Sequence, residues 1–129
     1  DRFMAQRHPW THVKDADIPR LDAEVHDAEL LKLAIRPKLL RLELQLFGMG
    51  GKRGRLELQF LEVCGIQSGP LSTQNVFGGI ELCRAKELPE HERKQISWVD
   101  PECPVYTFET GTTFWLQVAC ERLERRVPR

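Results

Sequence analysis

Apolar residues recur along much of this chain at every second position. Between Ala28 and Ile35 they fall on Leu31, Leu33 and Ile35, and after Arg36-Pro37-Lys38 the alternation resumes through Leu40, Leu42, Leu44 and Leu46, with Arg41, Glu43 and Gln45 between them. Leucine is a good helix former, but a helix would spread these leucines around its circumference, whereas a strand gathers them on one face. The period outweighs the propensity, and the segment is expected to be a hairpin turning at 36–38. Beyond the glycine-rich GMGGKRG, residues 48–54, Leu56, Leu58 and Phe60 alternate with Glu57 and Gln59, and the run continues through Leu61 and Val63 as a third strand. Strands joined by such short loops form an antiparallel meander, because parallel neighbours need crossovers of about a dozen residues or more.

The second half repeats the pattern less regularly. VFGGIELCRA reads as a strand with Ile80 and Leu82 on one face, and Gly78-Gly79 marks a bulge or a close backbone approach. KELPEHERK reads as an exposed charged connection to a short strand QISWV. In the last long alternation Phe114, Leu116, Val118 and Cys120 share one face, and Trp115, Gln117, Ala119 and Glu121 the other; Tyr106 and Phe108 extend it upstream across a turn or bulge at Gly111. IPRLDAEVHDAEL supports a short helical turn near Pro19, while residues 1–20 and the charged tail 122–129 are expected to fray. The expectation is one domain over residues 1–129, mainly β: an antiparallel meander forming a curved sheet or two-layer sandwich of about six or seven strands, with little helix.

Composition narrows the classes. A chain of 129 residues suits one core and is too short for two. Its 19 Lys and Arg balance 19 Asp and Glu, so the uniform positive field used by general nucleic-acid binders is missing. Apolar runs reach only about three residues, far from the roughly 20 of a membrane helix, and DRFMAQRHPW has no signal-peptide core. Residue 1 is not methionine, which leaves open a removed export signal ahead of it. Cys64, Cys83, Cys103 and Cys120 form no CxxC pair that would offer two thiolates to zinc. Cys64, Cys83 and Cys120 lie in apolar strand-like stretches and read as buried, reduced thiols of a cytoplasmic protein, while Cys103, between Pro101 and Pro104, is the one expected in an exposed loop.

Two stretches stand out from this generic pattern: VHDAELLKLAI followed by LRLELQLF, and GIQSGPLSTQNVFGGIEL. In this order, with RLELQFLEVCGI between them, they resemble the bacterial immunity protein family numbered 50 of polymorphic toxin systems, over roughly residues 21–84. The motif positions are His26, Asp27 and Glu29 in the HDAE-like strand start and Gln74 and Asn75 in the QNV-like turn. The resemblance implies a small cytoplasmic protein that binds a cognate protein toxin and blocks it, with no catalysis and no cofactor. The stretch around Trp10 is only loosely similar, and beyond Lys86 the match is one of strand rhythm.

His26 and Asp27 are neighbours in sequence, and on an extended strand they would diverge, so Asp27 is expected to turn the chain into the strand and His26 to bond a backbone carbonyl. Toxin contact is the second reading and general-base chemistry a distant third, since no nucleophile or metal motif accompanies them. Gln74 and Asn75 fit a turn whose carbonyls an amide ties down. GMGGKRG leads into a strand rather than a helix, so it reads as a hairpin loop and not a phosphate cradle. His8, His12 and His26 lack HxxH, HxH or HExxH spacing, and no metal is expected. Trp10, Trp98 and Trp115 are core or second-layer packing before they are partner anchors. The residues assigned to partner binding are Arg41, Glu43, Gln45, Lys52, Arg53 and Trp115. The competing expectation is a structural or adaptor domain that dimerises through an edge strand or a sheet face.

Overall fold

The computed structural model describes residues 9–72, 74–109 and 114–128, so His8 and the turn expected at Gly111 lie outside the described residues. In chain order the elements are β1 (Thr11–His12), α1 (Ile18–Val25), β2 (Glu29–Arg36), β3 (Leu39–Gly48), β4 (Gly51–Leu61), β5 (Gly65–Ser68), β6 (Gly79–Arg84), α2 (Glu90–Gln95), β7 (Pro104–Glu109), β8 (Leu116–Ala119) and β9 (Arg122–Arg126). All strand pairs are antiparallel and form two sheets, one ordered β1-β9-β4-β3-β2 and the other β5-β8-β7-β6.

The meander expected from the leucine alternation is β2-β3-β4. Lys38, at φ 58, makes its first turn beside Pro37. Leu40, Leu42 and Leu44 pair across β4 with Phe60, Leu58 and Leu56, and all six are fully buried. They face Ile80 on β6, Tyr106 and Phe108 on β7, and Leu116 and Val118 on β8. Edge-to-face contacts of Phe60 with Tyr106 (5.9 Å) and Phe108 (6.0 Å) join the sheets at the centre. The fold is therefore the two-layer member of the expected pair, with nine strands among the described residues rather than six or seven. Burial pushes the Tyr106 hydroxyl up and the Cys120 thiol up to about 12, which keeps both core groups neutral.

α1 places Ile18, Leu21 and Val25 on one buried stripe against this core. Its Asp22 Oδ1 accepts the backbone N–H of Ile80 at 2.8 Å and lies where a Cβ on Gly79 would sit, so the expected close approach at Gly78-Gly79 is the helix closing on β6.

Several expectations are corrected. The tail does not fray over 122–126: β9 lies between β1 and β4, because Leu123 drops fully into the core and pairs opposite Phe60. Residues 11–20 likewise carry β1 and the start of α1. GMGGKRG is mostly strand, with only Met49 and Gly50 turning between β3 and β4, and Gly51 adopts φ 99. KELPEHERK contains α2 instead of a plain connection: Pro89 precedes it, Glu90 and Glu92 lie in its first turn and Arg93 and Lys94 in its last, each favoured by the helix dipole. QISWV is not a strand. Its Ile96 and Val99 pack with Ala85 and Leu88 on the outer face of the second sheet, against Val105 and Ala119. This second covering explains why all four residues of β8 are buried. Cys64 is exposed, because Glu62 at φ 54 ends β4 and the chain crosses to β5 there.

Candidate protein-binding face

On β3 the inward leucines leave Arg41, Glu43 and Gln45 on the outer side of the five-stranded sheet, as the alternation requires. Cross-strand register sets their neighbours: Arg41 opposite Gln59, Glu43 opposite Glu57, Gln45 opposite Arg55, and beyond β4, Glu57 opposite Arg126 and Gln59 opposite Glu124. These residues are hydrogen-bonded to one another. Arg41 donates to Gln59 Oε1 (3.0 Å), Gln59 Nε2 to Glu124 Oε1 (2.7 Å), Arg122 to Glu124 Oε2 (2.9 Å) and Arg55 to Glu43 Oε1 (3.0 Å). Arg126 donates to both oxygens of Glu57 at 3.2 and 3.1 Å. Gln45 Nε2 reaches the carbonyl of Arg53 at 2.7 Å and so ties the face to the β3-β4 hairpin.

Trp10 lies over this lattice. Its ring receives the Arg126 guanidinium at 4.2 Å and that of Arg41 at 5.3 Å, so one aromatic meets two cations. It is half-buried. Chain pairing explains its position, since β1 directly after it pairs with β9 and carries the indole above the β9-β4-β3 surface. On the other side of β1, His12, Arg20, Glu24 and Arg125 line a cleft of about 240 Å³, with Arg125 bonded to Glu24 at 2.7 Å.

The remaining assigned residues are scattered. Lys52 and Arg53 are exposed at the hairpin end of β4, adjoining the face. Trp115, 38% exposed, precedes β8 on the other sheet and does not join it. Arg126 and Glu124 were missed as site residues, and Trp10 was read as packing first and as a partner anchor second. The alternation of Arg122, Leu123 and Glu124 carried a signal for the first two, whereas the position of Trp10 had no local signal.

The two motif stretches converge. The N–H of Asp27 bonds the carbonyl of Phe77 (2.8 Å), the N–H of Phe77 that of Ala28 (2.8 Å) and the N–H of Leu30 that of Asn75 (2.9 Å), and Glu29 bridges Val76. Asn75 is buried and closes its own turn, accepting the N–H of Ser72 and donating to the Ser72 carbonyl, both at 2.9 Å. Gln74 is exposed beside it. Asp27 does turn the chain into β2, at φ 66. The expected divergence of His26 and Asp27 is overturned, because they sit in that turn and not on the strand. His26 Nδ1 lies 3.3 Å from Asp27 Oδ2 instead of bonding a backbone carbonyl, and both side chains are mostly exposed. Among the described residues no group of three His, Cys, Asp or Glu side chains is arranged to hold a metal, and no helix is long and apolar enough to cross a membrane.

Comparison with protein-family models, with characterised proteins and with solved structures finds no match to this chain.

Proposed function

We propose that this chain is a non-catalytic protein-binding domain that binds and neutralises a cognate bacterial toxin, with the outer surface of β3, β4 and β9 as its contact face. The observation that carries the reading is Trp10 in contact with both Arg41 and Arg126 above a lattice of paired charges. Side chains already fixed by mutual bonds lose little freedom on association. Trp and Arg dominate binding hot spots, and fixed charges exclude wrong partners. The HDAE-like and QNV-like stretches support the same reading through the family they resemble. Co-expression with the toxin encoded beside this gene should protect the cell, and the purified pair should form a one-to-one complex. Trp10→Ala should weaken that complex by about 30- to 1,000-fold, about 2–4 kcal/mol, with an unchanged circular dichroism spectrum. Failure of the wild-type chain to protect would remove the proposal.

One observation favours a second reading, a structural or adaptor domain acting as a homodimer. β2 is the outermost strand of its sheet, and Leu31 and Ile35 on it are 43% and 56% exposed. Beyond Leu30, whose N–H is taken by the Asn75 carbonyl, this edge is open among the described residues, and an open edge with apolar side chains invites pairing with the same edge of a second copy. Light scattering at high micromolar concentration should then give twice the chain mass, and Ile35→Lys should return it to the single-chain value. A single-chain mass for the wild type would dismiss this reading.

A further inference from the structure

Away from the candidate face, two cysteines distant in sequence meet at the surface. Cys64 lies in the crossing from β4 to β5, Cys103 in the turn before β7 that closes through its N–H to the carbonyl of Asp100 at 2.9 Å. Their Sγ atoms are 3.7 Å apart across a separation of 39 residues. Both thiols are held at the end of β8: Cys64 Sγ contacts the carbonyl of Ala119 at 3.5 Å and Cys103 Sγ that of Cys120 at 3.7 Å. They line a groove of about 480 Å³ with Lys38, Glu62, Trp98 and Glu121. Trp98 stands over it, its Nε1 donating to the Cys64 carbonyl at 2.6 Å. Cys64 is exposed, so a reagent reaches it through this groove.

We propose that Cys64 and Cys103 are a thiol pair that small disulfides convert reversibly to an intramolecular disulfide, locking the corner where the chain passes between the two sheets. A disulfide needs its sulfurs roughly 2.05 Å apart, so oxidation requires the two side chains to rotate together from the present 3.7 Å. In the first step the Cys64 thiolate attacks a small disulfide such as oxidised glutathione, forming a mixed disulfide and releasing one glutathione thiolate, which takes up a proton. In the second, Cys103 gives up its proton and its sulfur displaces the other glutathione from Cys64. The protein loses two protons and two electrons, and two glutathione thiols are formed. Burial pushes the Cys103 thiol up to about 12, with the neighbouring Cys64 adding to the shift, so at neutral pH Cys103 is protonated and exchange begins at the exposed partner.

The test treats the whole chain with oxidised glutathione, quenches in acid, alkylates the remaining thiols in denaturant and reads intact and peptide masses. The expected product has lost two hydrogen atoms, carries alkyl groups on Cys83 and Cys120 only, and yields Cys64 and Cys103 in one joined peptide that dithiothreitol separates. Closing a loop of this length should raise the unfolding midpoint by roughly 10 °C. Cys103→Ala should stop at the mixed disulfide on Cys64, and Cys83→Ala should behave as wild type. A stable glutathione adduct on wild-type Cys64 with Cys103 still alkylated would overturn the proposal, as would a bond from Cys64 to any other cysteine. The wild-type masses decide the matter even if a variant misfolds.

Discussion

Replacing Phe60 by alanine is expected to remove about 3–5 kcal/mol of stability, the usual cost of truncating a buried phenylalanine. Phe60 is fully buried on β4, pairs opposite Leu123 of β9 on one side and Leu40 of β3 on the other, and meets Tyr106 and Phe108 of the facing sheet edge-on. Its loss leaves a void bounded by side chains from both sheets. Strands pinned by hydrogen bonds to two neighbours cannot collapse into such a void, so the cavity penalty adds to the lost transfer energy. For a domain whose total stability is of the order of 5–15 kcal/mol, the variant should be marginal, with a midpoint lower by roughly 10–20 °C. Phe60→Leu keeps most of the volume and should cost only about 1–1.5 kcal/mol. Urea unfolding of both variants checks the contrast, and a loss under about 1 kcal/mol for Phe60→Ala would show that the sheets are not joined there.

The second large effect is expected at Gln117. This residue of β8 is 2% exposed, on the face of the second sheet that α2 covers. Its amide nitrogen donates to Glu92 Oε1 of α2 and to Thr107 Oγ1 of β7, both at 3.1 Å, and its oxygen accepts from Gln67 of β5 in a short contact. One side chain thus joins β5, β7 and α2. Gln117→Met keeps a similar volume but removes the bonds to half-buried Thr107 and Gln67, leaving Gln67 only its 3.5 Å contact with the Glu92 carbonyl, and should cost about 1–3 kcal/mol, the usual penalty for leaving polar groups unpaired away from water. Adding Thr107→Val should recover part of the loss, because removing both partners is cheaper than removing one. Hydrogen exchange should accelerate over residues 88–99 before the five-stranded sheet responds. Uniform acceleration across both sheets would refute a local role.

The candidate face was half legible before its tertiary surroundings were known. Arg41, Glu43 and Gln45 had to point away from the leucines of β3, and Glu57 and Gln59 from Leu56, Leu58 and Phe60. That these polar residues bond to each other rather than to water depends on register. Opposite positions are fixed by hairpin turns and by β9, which enters from the far end of the chain. Non-local pairing likewise brought Asp27 and Glu29 beside Phe77 and Val76, so the two motif stretches read separately are parts of one corner. His26 and Asp27 shifted most: an argument from strand geometry fails at a residue with positive φ.

By itself the sequence determined that the chain is mainly antiparallel β, that β2, β3 and β4 form a meander, and which side chains of β3 and β4 share a face; on β2 a bulge between Leu30 and Lys32 turns Leu31 outward, 43% exposed, and Leu30 takes the inward place beside Leu33. A period of two records the inside and outside of a strand wherever one side meets water. Only the tertiary structure decided that β9 is a central strand and not a tail, that α2 buries the polar Gln117, that Trp10 packs on Arg41 and Arg126, and that Cys64 meets Cys103. These depend on contacts between residues far apart in the chain. Local pattern carries no record of which distant segment will cover a face, because one alternation serves equally for an edge strand, a central strand and a strand covered on both sides.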